Sequence, residues 1–453
     1  MKYNILLLLL LHASTMLWCD DKELQAQDLL KQAKAAQQAQ EYQAAIDYYT
    51  ALIALKPGSS GEYFDLAYCH SMLGQVPQAL ASYRKILDIM PNCVSVLYNV
   101  AYLLKMADDL DKAIPIYLKT IELDPSKEDT YFGLAMAYLV KGDFDNGWRV
   151  HERFLNRTGR NANTLRQYLQ HNDLAGKTIL LRPEGGLGDT IRFLRYAKKL
   201  KQHGARIIAI VQRELYPLVQ HCEYIDQLMT VGSVVPCAYD DTTTFMSMAA
   251  IWYPYHKEIV QEIPYITPDQ DRSAYWKEYL CQDTNFKIGI CWGASIHNDK
   301  SRAPIARRGI PLSQLYPLHD IPGVSLYSLQ RFDGEDELLD VPEDISIKTF
   351  GPDFDRTHGA FVDSAAIIQH LDLVISVDTA TAHLTGALGK PVFLMLPYST
   401  DWRWIAHRTT SPWYPSMHIF KQARPFDWNT VVQDICLVVS ELAQQHMNSQ
   451  SES

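Results

Sequence analysis

The sequence predicts an α plus α/β chain, an N-terminal α-solenoid of helical hairpins followed by a pair of doubly wound α/β domains. Three observations predict it. Pro57, Pro91 and Pro125 stand 34 residues apart, and other columns keep the same step. From Thr178 an apolar run, a glycine-rich loop, an amphipathic segment and a second apolar run follow one another. From Lys287 a similar order returns and ends in a strand-like run that leads into Asp378-Thr379 and a short helix of small residues.

With 453 residues the chain exceeds one ordinary core, which fits several domains. Hydrophobic residues at 47% and charged residues at 21% exclude a disordered chain. The formal net charge of −10 argues against nucleic acid or an anionic membrane as main partner, since both demand a basic footprint. It leaves room for a local phosphate pocket. The 8 cysteines show no Cys-x-x-Cys spacing, so they read as free thiols rather than a zinc site or a disulfide scaffold.

Residues 1–22 carry signal-like features: Lys2, the apolar run Ile5 to Leu11, and Ser14-Thr15 ahead of Cys19. The run is short, and Trp18 stands where a lipoprotein signal needs a small residue. An export signal, a misplaced start and a packed first helix all stay open. No other stretch reaches the ~20 apolar residues that span a bilayer, so no membrane span is expected.

The helical array is assigned to residues 23–160. Ala45, Ala79, Ala113 and Gly147 form one column, Tyr49, Tyr83 and Tyr117 a second, and Ala67, Ala101 and Ala135 a third. Small residues let the helices of a hairpin approach closely, the tyrosines fill the gap to the next hairpin, and proline closes each second helix. One hairpin cannot bury its apolar face alone, so three or more must stack. Three full units reach about residue 126, and a diverged fourth covers Thr130 to Arg157. These columns resemble the tetratricopeptide family, which implies a concave groove for a peptide or partner protein. A purely structural spacer is the alternative.

The first α/β domain is placed at 170–285. Thr178 to Arg182 reads as a buried strand, Pro183 to Asp189 as a loop at its carboxyl end, Thr190 to His203 as a helix, and Ile207 to Val211 as the next strand. Gly185, Gly186 and Gly188 let the backbone approach a substrate there. The spacing Gly-x-Gly-x-x-Gly is absent, which speaks against a dinucleotide-dependent dehydrogenase. The second domain is placed at 286–441, with strands at Ile288 to Gly293, Leu373 to Val377 and Val392 to Leu396, and a disordered tail at 442–453. Asp378 and Thr379 end a strand and start a helix. That is a natural anion pocket, because helix N-termini offer unpaired N–H groups.

Each candidate also has a plain structural explanation. Asp189, and Asp378 with Thr379, make good helix caps. His383 suits a satisfied core histidine. Trp402-Arg403-Trp404 with Trp413-Tyr414 is either a cation–π packing element or a sugar platform. His297 to Arg302 fits an ordinary surface loop. Asp240-Asp241 reads as a turn.

Glu184-Gly-Gly-Leu-Gly-Asp189 and Val377-Asp-Thr-Ala-Thr-Ala-His383, with Gly389-Lys390-Pro391, resemble the ADP-heptose:lipopolysaccharide heptosyltransferase group over about residues 177 to 440. Asp363 to Ala366, Asp401 to Trp404 and Ser411 to Pro415 resemble a bacterial subgroup in which tetratricopeptide repeats precede that domain. The resemblance implies the GT-B architecture of two Rossmann-like domains, and transfer of a sugar, heptose in the named group, from a nucleotide-diphosphate donor. It implies Asp189 as general base toward the acceptor hydroxyl. Asp378, Thr379 and His383 would hold the donor diphosphate, with Lys300 or Arg302 as a cation on its phosphates. The nucleotide sugar is a co-substrate, and no bound cofactor is expected. No Asp-x-Asp motif stands in a fitting loop, so a metal-independent mechanism is expected as well. A protein or glycan acceptor would be selected by the array's groove. The donor favours a cytoplasmic address, while a periplasmic or secreted one stays open through residues 1–22. Two other readings remain: a partner-binding scaffold with an inactive transferase-like domain, and a protein O-glycosyltransferase similar in architecture alone.

Overall fold

The computed structural model describes residues 22–57, 60–157, 162–295 and 304–451. Nearly all of the signal-like segment, and both Lys300 and Arg302, lie outside the described residues. The chain divides into two compact bodies that part at Thr130. Among the described residues, no helix is long and apolar enough to cross a membrane.

In the first body the helices 22–38, Tyr42–Leu55, Ser60–Met72, Val76–Ile89, Val94–Met106 and Leu110–Leu123 form consecutive hairpins. Ala33, Ala45, Ala67, Ala79, Ala101 and Ala113 are fully buried, as close helix approach demands. Tyr49, Tyr83 and Tyr117 are buried beside them. Two of these rings also carry hydrogen bonds between helices. The Tyr49 hydroxyl donates to Gln37 Oε1 at 2.6 Å, and Asn99 Nδ2 donates to the Tyr83 hydroxyl at 3.2 Å. Lys56, Met90 and Asp124 leave their helices at φ of −134°, −128° and −141°. Each precedes a column proline, whose ring excludes the helical conformation from the residue before it.

The diverged fourth hairpin, Glu128–Lys141 with Phe144–Arg157, lies almost wholly in the second body, so the boundary falls near 130 rather than 160. Its aromatic residues pack on that body. Phe144 meets Tyr253 at 5.5 Å between ring centroids, and Trp148 stands edge-on to Trp402 at 5.2 Å. The Ala406 N–H donates to the Val140 carbonyl at 2.8 Å. Gly147 replaces the column alanine because a Cβ there would lie 2.6 Å from Leu139 Cδ2.

Two parallel sheets follow. In the first, β1 (Thr178–Arg182), β2 (Arg206–Val211), β3 (Gln227–Thr230) and β4 (Asp241–Thr244) lie in the order β3-β2-β1-β4. In the second, β5 (Phe286–Cys291), β6 (Val324–Ser328), β7 (Ile347–Lys348), β8 (Leu373–Val377), β9 (Val392–Leu396) and β10 (Met417–Lys421) lie in the order β10-β9-β8-β5-β6-β7. The inner strands β1, β8 and β9 are buried along their apolar runs, as parallel sheets covered on both faces require. The chain leaves β1 for β2 and β3 on one side and returns with β4 on the other. It leaves β5 for β6 and β7 and returns with β8. The switch points are therefore β1/β4 and β5/β8, and open α/β sheets bind ligands outside the carboxyl ends of strands at such points.

Three sequence expectations need correction. The segment Thr190 to His203 is two helices, Leu187–Phe193 and Arg195–Gln202. Arg195 Nε donates to the Arg192 carbonyl at 2.9 Å, a local side-chain bond that competes with continuing the helix. Asp241 is not a turn residue but opens β4, and its carboxylate accepts the Leu165 N–H at 2.6 Å. Residues 442–451 are not a disordered tail but continue the helix Trp428–Ser451. That helix buries Val431, Val432, Ile435, Val439 and Ala443 in the second sheet's core. Its polar end is fastened too, for Gln450 Nε2 donates to the Thr284 carbonyl at 2.8 Å.

Candidate active site

The two switch points open onto one cavity of about 760 Å³, lined from the first sheet by Gly186, Leu187, Gly188, Asp189 and Glu214. From the second sheet come Cys291, Gly293, Arg308, Gln330, Arg331, Asp355, Asp378, Thr379, His383 and Arg403. The structure thus brings Asp189 together with Asp378, Thr379 and His383, although nearly two hundred positions separate them in the chain.

The three glycines have separate jobs. Gly185 sits at φ +77°, and a Cβ there would meet Asp189 Oδ2 at 2.6 Å. The Gly186 N–H donates to that same Oδ2 at 3.1 Å, which folds the loop over the start of helix Leu187–Phe193. Gly188 serves packing. A Cβ on it would lie 3.1 Å from His383 Cδ2 and 3.3 Å from Ala380 Cα, so its absence lets two helices from the two halves meet.

Asp189 is thus a loop fastener, as the capping explanation has it, and more. Its Oδ1 is ion-paired with Arg403 Nη2, whose other terminal nitrogen lies 2.7 Å from Asp401 Oδ1. Burial works against the charge of Arg403, but Asp401, Asp189 and Asp378 outweigh it and hold the guanidinium protonated above its ordinary range.

Thr379 takes the N-cap position of helix Ala380–Ala387 with an extended backbone, yet makes no side-chain cap. Its hydroxyl lies 3.0 Å from that of Ser376 instead. The first-turn residues Ala380 and Thr381 line the cavity, so this end of the helix presents its dipole to whatever enters. Arg308 Nη1 donates to the Asp378 carbonyl at 2.9 Å and lies 3.9 Å from its carboxylate. His383 Nδ1 is 3.2 Å from the Tyr414 hydroxyl, and its ring stacks on Trp404 at 5.5 Å. Burial first, then the guanidiniums of Arg192 and Arg403, push His383 well below the histidine range. Its imidazole is neutral at pH 7.

Sequence reasoning missed several of these groups. Arg308, Arg331 and Arg403 are the cavity's described cations, whereas Lys300 and Arg302 fall outside the described residues. Gln330 Oε1 accepts the Trp292 and Gly293 N–H groups at 3.0 and 2.8 Å, and its Nε2 donates to the Asp333 carbonyl at 2.7 Å, which fixes the β5 and β6 ends. Asp355 accepts the Asp363 and Ser364 N–H groups at 2.8 and 3.0 Å, and burial pushes its carboxyl up to about 6. The aromatic cluster is settled by burial. Trp402, Trp404 and Trp413 are 9%, 1% and 1% exposed, so they are packing and not a sugar platform. They cage the buried Arg192, whose guanidinium carbon lies 4.1 Å from the Trp413 ring centre and 5.2 Å from that of Trp402. The only sequence signal for Arg403 was its place in that cluster.

Tetratricopeptide-repeat family models match residues 30–92 and 94–127. Protein FlbA of Caulobacter vibrioides is 28% identical over 290 residues, which cover 60% of this chain and 48% of the relative. The chain therefore spans about half the length of the curated relative it matches. A glycosyl transferase family 9 structure from Veillonella parvula is similar at 12% identity and a TM-score of 0.41, over 62% of this chain and 97% of that one. An O-GlcNAc transferase structure from Thermobaculum terrenum is similar at 12% identity and a TM-score of 0.32, over 95% and 94% of the two chains.

Proposed function

We propose that this chain is a glycosyltransferase of GT-B architecture that moves a sugar from a nucleoside-diphosphate donor to a hydroxyl acceptor. One observation carries the reading. A single cleft joins the N-terminus of helix Ala380–Ala387 and three arginines, Arg308, Arg331 and Arg403, to a carboxylate-bearing loop on the opposing sheet. Sugar transfer develops negative charge on the departing diphosphate and positive charge at the anomeric carbon. Helix-end N–H groups and guanidiniums suit the first, and they stabilise it without a metal ion. The acceptor hydroxyl must lose a proton, which is work for a carboxylate on the other wall. Neutral His383 fits beside the phosphates as a hydrogen-bonding partner rather than a counter-charge.

The tetratricopeptide array gives the acceptor its selection in this reading, since stacked hairpins offer an extended concave surface. Heptose is the donor sugar that the sequence resemblance suggests. Titration calorimetry of the full chain with UDP, ADP and GDP tests the core of the proposal. At least one should bind, and Asp378→Ala should weaken it about tenfold or more, the loss of roughly 1.4 kcal/mol. Failure of all three to bind would remove the transferase reading and leave the scaffold.

A further inference from the structure

The fourth hairpin, Glu128–Lys141 with Phe144–Arg157, is a repeat unit by sequence, yet its contacts lead into the cleft. They converge on residues Asp401 to His407, a segment of turns with no helix or strand of its own. Trp148 is 5% exposed, and its ring stands edge-on to Trp402 at 5.2 Å between centroids. The Ala406 N–H donates to the Val140 carbonyl at 2.8 Å. Gly142, at φ +84°, brings the turn of the hairpin against Ile405, where a Cβ would lie 3.4 Å from Ile405 Cγ2.

The same segment serves the cleft. Arg403 lines the cavity, with one terminal nitrogen ion-paired to Asp189 and the other 2.7 Å from Asp401 Oδ1. Trp404 stacks on His383 at 5.5 Å. Trp402 stacks on Phe193 at 6.2 Å, and Phe193 ends the helix Leu187–Phe193 that carries Asp189. Local bonds shape the turn itself. The Arg403 N–H donates to Asp401 Oδ1 at 3.1 Å, and the Trp404 N–H to the Asp401 carbonyl at 3.0 Å. Trp148, Val140 and Gly142 then seat that turn on the hairpin.

We infer that the fourth hairpin is a working part of the transfer site, with Trp148 a positioning residue that holds Arg403 in place through Trp402. The inference rests on the transferase reading. Trp402 and Arg403 are consecutive, so a tilt of the Trp402 ring is carried by the backbone to the guanidinium. Misplacing a group in such a site by about 1 Å can cost about 100-fold, even when the change lies far from the chemistry. Arg403 has two duties in this reading, the donor diphosphate and the ion pair that holds Asp189 on the acceptor's wall. One loosened ring therefore disturbs both sides of the cleft. A spacer hairpin needs only some apolar surface to rest on. This one rests on the segment that carries a cavity arginine.

The test is a double-mutant cycle on the full chain, read by titration calorimetry as the Kd for whichever of UDP, ADP and GDP binds. Trp148→Leu keeps an apolar side chain without a ring and should weaken binding about fivefold, the worth of one aromatic pair. Trp148→Phe restores a ring and should bind within about twofold of wild type. Arg403→Met should weaken binding about 20-fold, the loss of a charge-assisted contact. In the double variant no guanidinium is left for Trp148 to place. Its loss should stay near about 20-fold, instead of the roughly 100-fold product of independent effects. Circular dichroism at the titration temperature shows that each variant is folded, and Trp148→Met replaces Trp148→Leu in the cycle if the latter is not. Binding by Trp148→Leu within about 1.5-fold of wild type overturns the inference, as does a double variant whose loss is the full product. Either result leaves the transferase reading standing, because the wild-type chain binds. A wild-type chain that binds none of the three nucleotides defeats that reading and the inference with it.

Discussion

Arg195 holds the two halves of the cleft in register, and its replacement gives a quantitative test of that role. It is 1% exposed and lies on helix Arg195–Gln202 of the first half. Its Nη1 donates to the Val260 carbonyl at 2.7 Å and to the Trp413 carbonyl at 2.6 Å, and its Nη2 to the Tyr265 hydroxyl at 3.0 Å. One guanidinium therefore joins the first half, the segment between the sheets and the last third of the chain. Arg195→Met keeps much of the volume and removes every donor. Hydrogen bonds to a charged group are worth ~1.5–3 kcal/mol each, and orphaned buried carbonyls add to the loss. Release of a buried cation from its desolvation penalty offsets part of this. A net loss of roughly 3–5 kcal/mol results, the range for breaking one partner of a buried charged network. The assay can isolate the right body. Of the 9 tryptophans, all but Trp18 follow residue 130, so tryptophan emission reports chiefly the second body while far-ultraviolet circular dichroism also sees the array. In urea, the emission transition of Arg195→Met should move and the array's contribution should not. A shift worth less than about 1 kcal/mol, or an equal shift of both signals, would refute the staple.

Gly188→Ala should destabilise the second body by ~1–3 kcal/mol, since its Cβ meets the Ala380 backbone at 3.3 Å and overpacking is not relieved by a side-chain rotation. Helix propensity alone predicts the opposite sign, by up to ~1 kcal/mol, so urea unfolding decides between the two. Gly147→Ala restores the residue of its column, yet should also destabilise, because Leu139 stands 2.6 Å from the new Cβ; the same transition measures it. Asp355 predicts a pH dependence. Its carboxyl rises from 3.8 to about 6 on folding, so the stability linked to its proton is whole below about 4 and lost as pH climbs to about 6, a change of about 3 kcal/mol. Asp355→Asn should exceed wild-type stability more at pH 7 than at pH 4, and an equal difference at both would refute the assignment.

The sequence made the array legible because one geometric constraint repeats at fixed spacing. Each small-residue column is a helix crossing, and each crossing forces the same residue type again. Strands were legible only where burial on both faces imposes an apolar run. That held for β1, β2, β5, β8 and β9. It failed for β4, whose sequence Asp241-Thr-Thr-Thr244 is half-buried at a sheet edge and has no apolar run to betray it. It failed for β6 as well, where Ser325 and Ser328 interrupt the run although both are buried in the sheet. The end of the last helix reads as a disordered tail for a related reason. Beyond Ala443 its anchorage is polar, through Gln450 to the Thr284 carbonyl, and polar contacts leave no periodic trace in composition.

The site divides along the same line. Asp378 and Thr379 could be placed because strand end and helix start are local facts, legible in a dozen residues. Arg403 could not, because its role depends on a partner more than two hundred positions away and on the fold that closes the gap. The pairing also changes what the legible residue means. In the sequence Asp189 is a carboxylate in a glycine loop, expected as the base, with a plain helix cap as the alternative. In the fold it is bound to Arg403, and Arg403 lines the cavity together with Asp378 and Thr379. The motif could name Asp189, and only the fold could give it Arg403 as a partner.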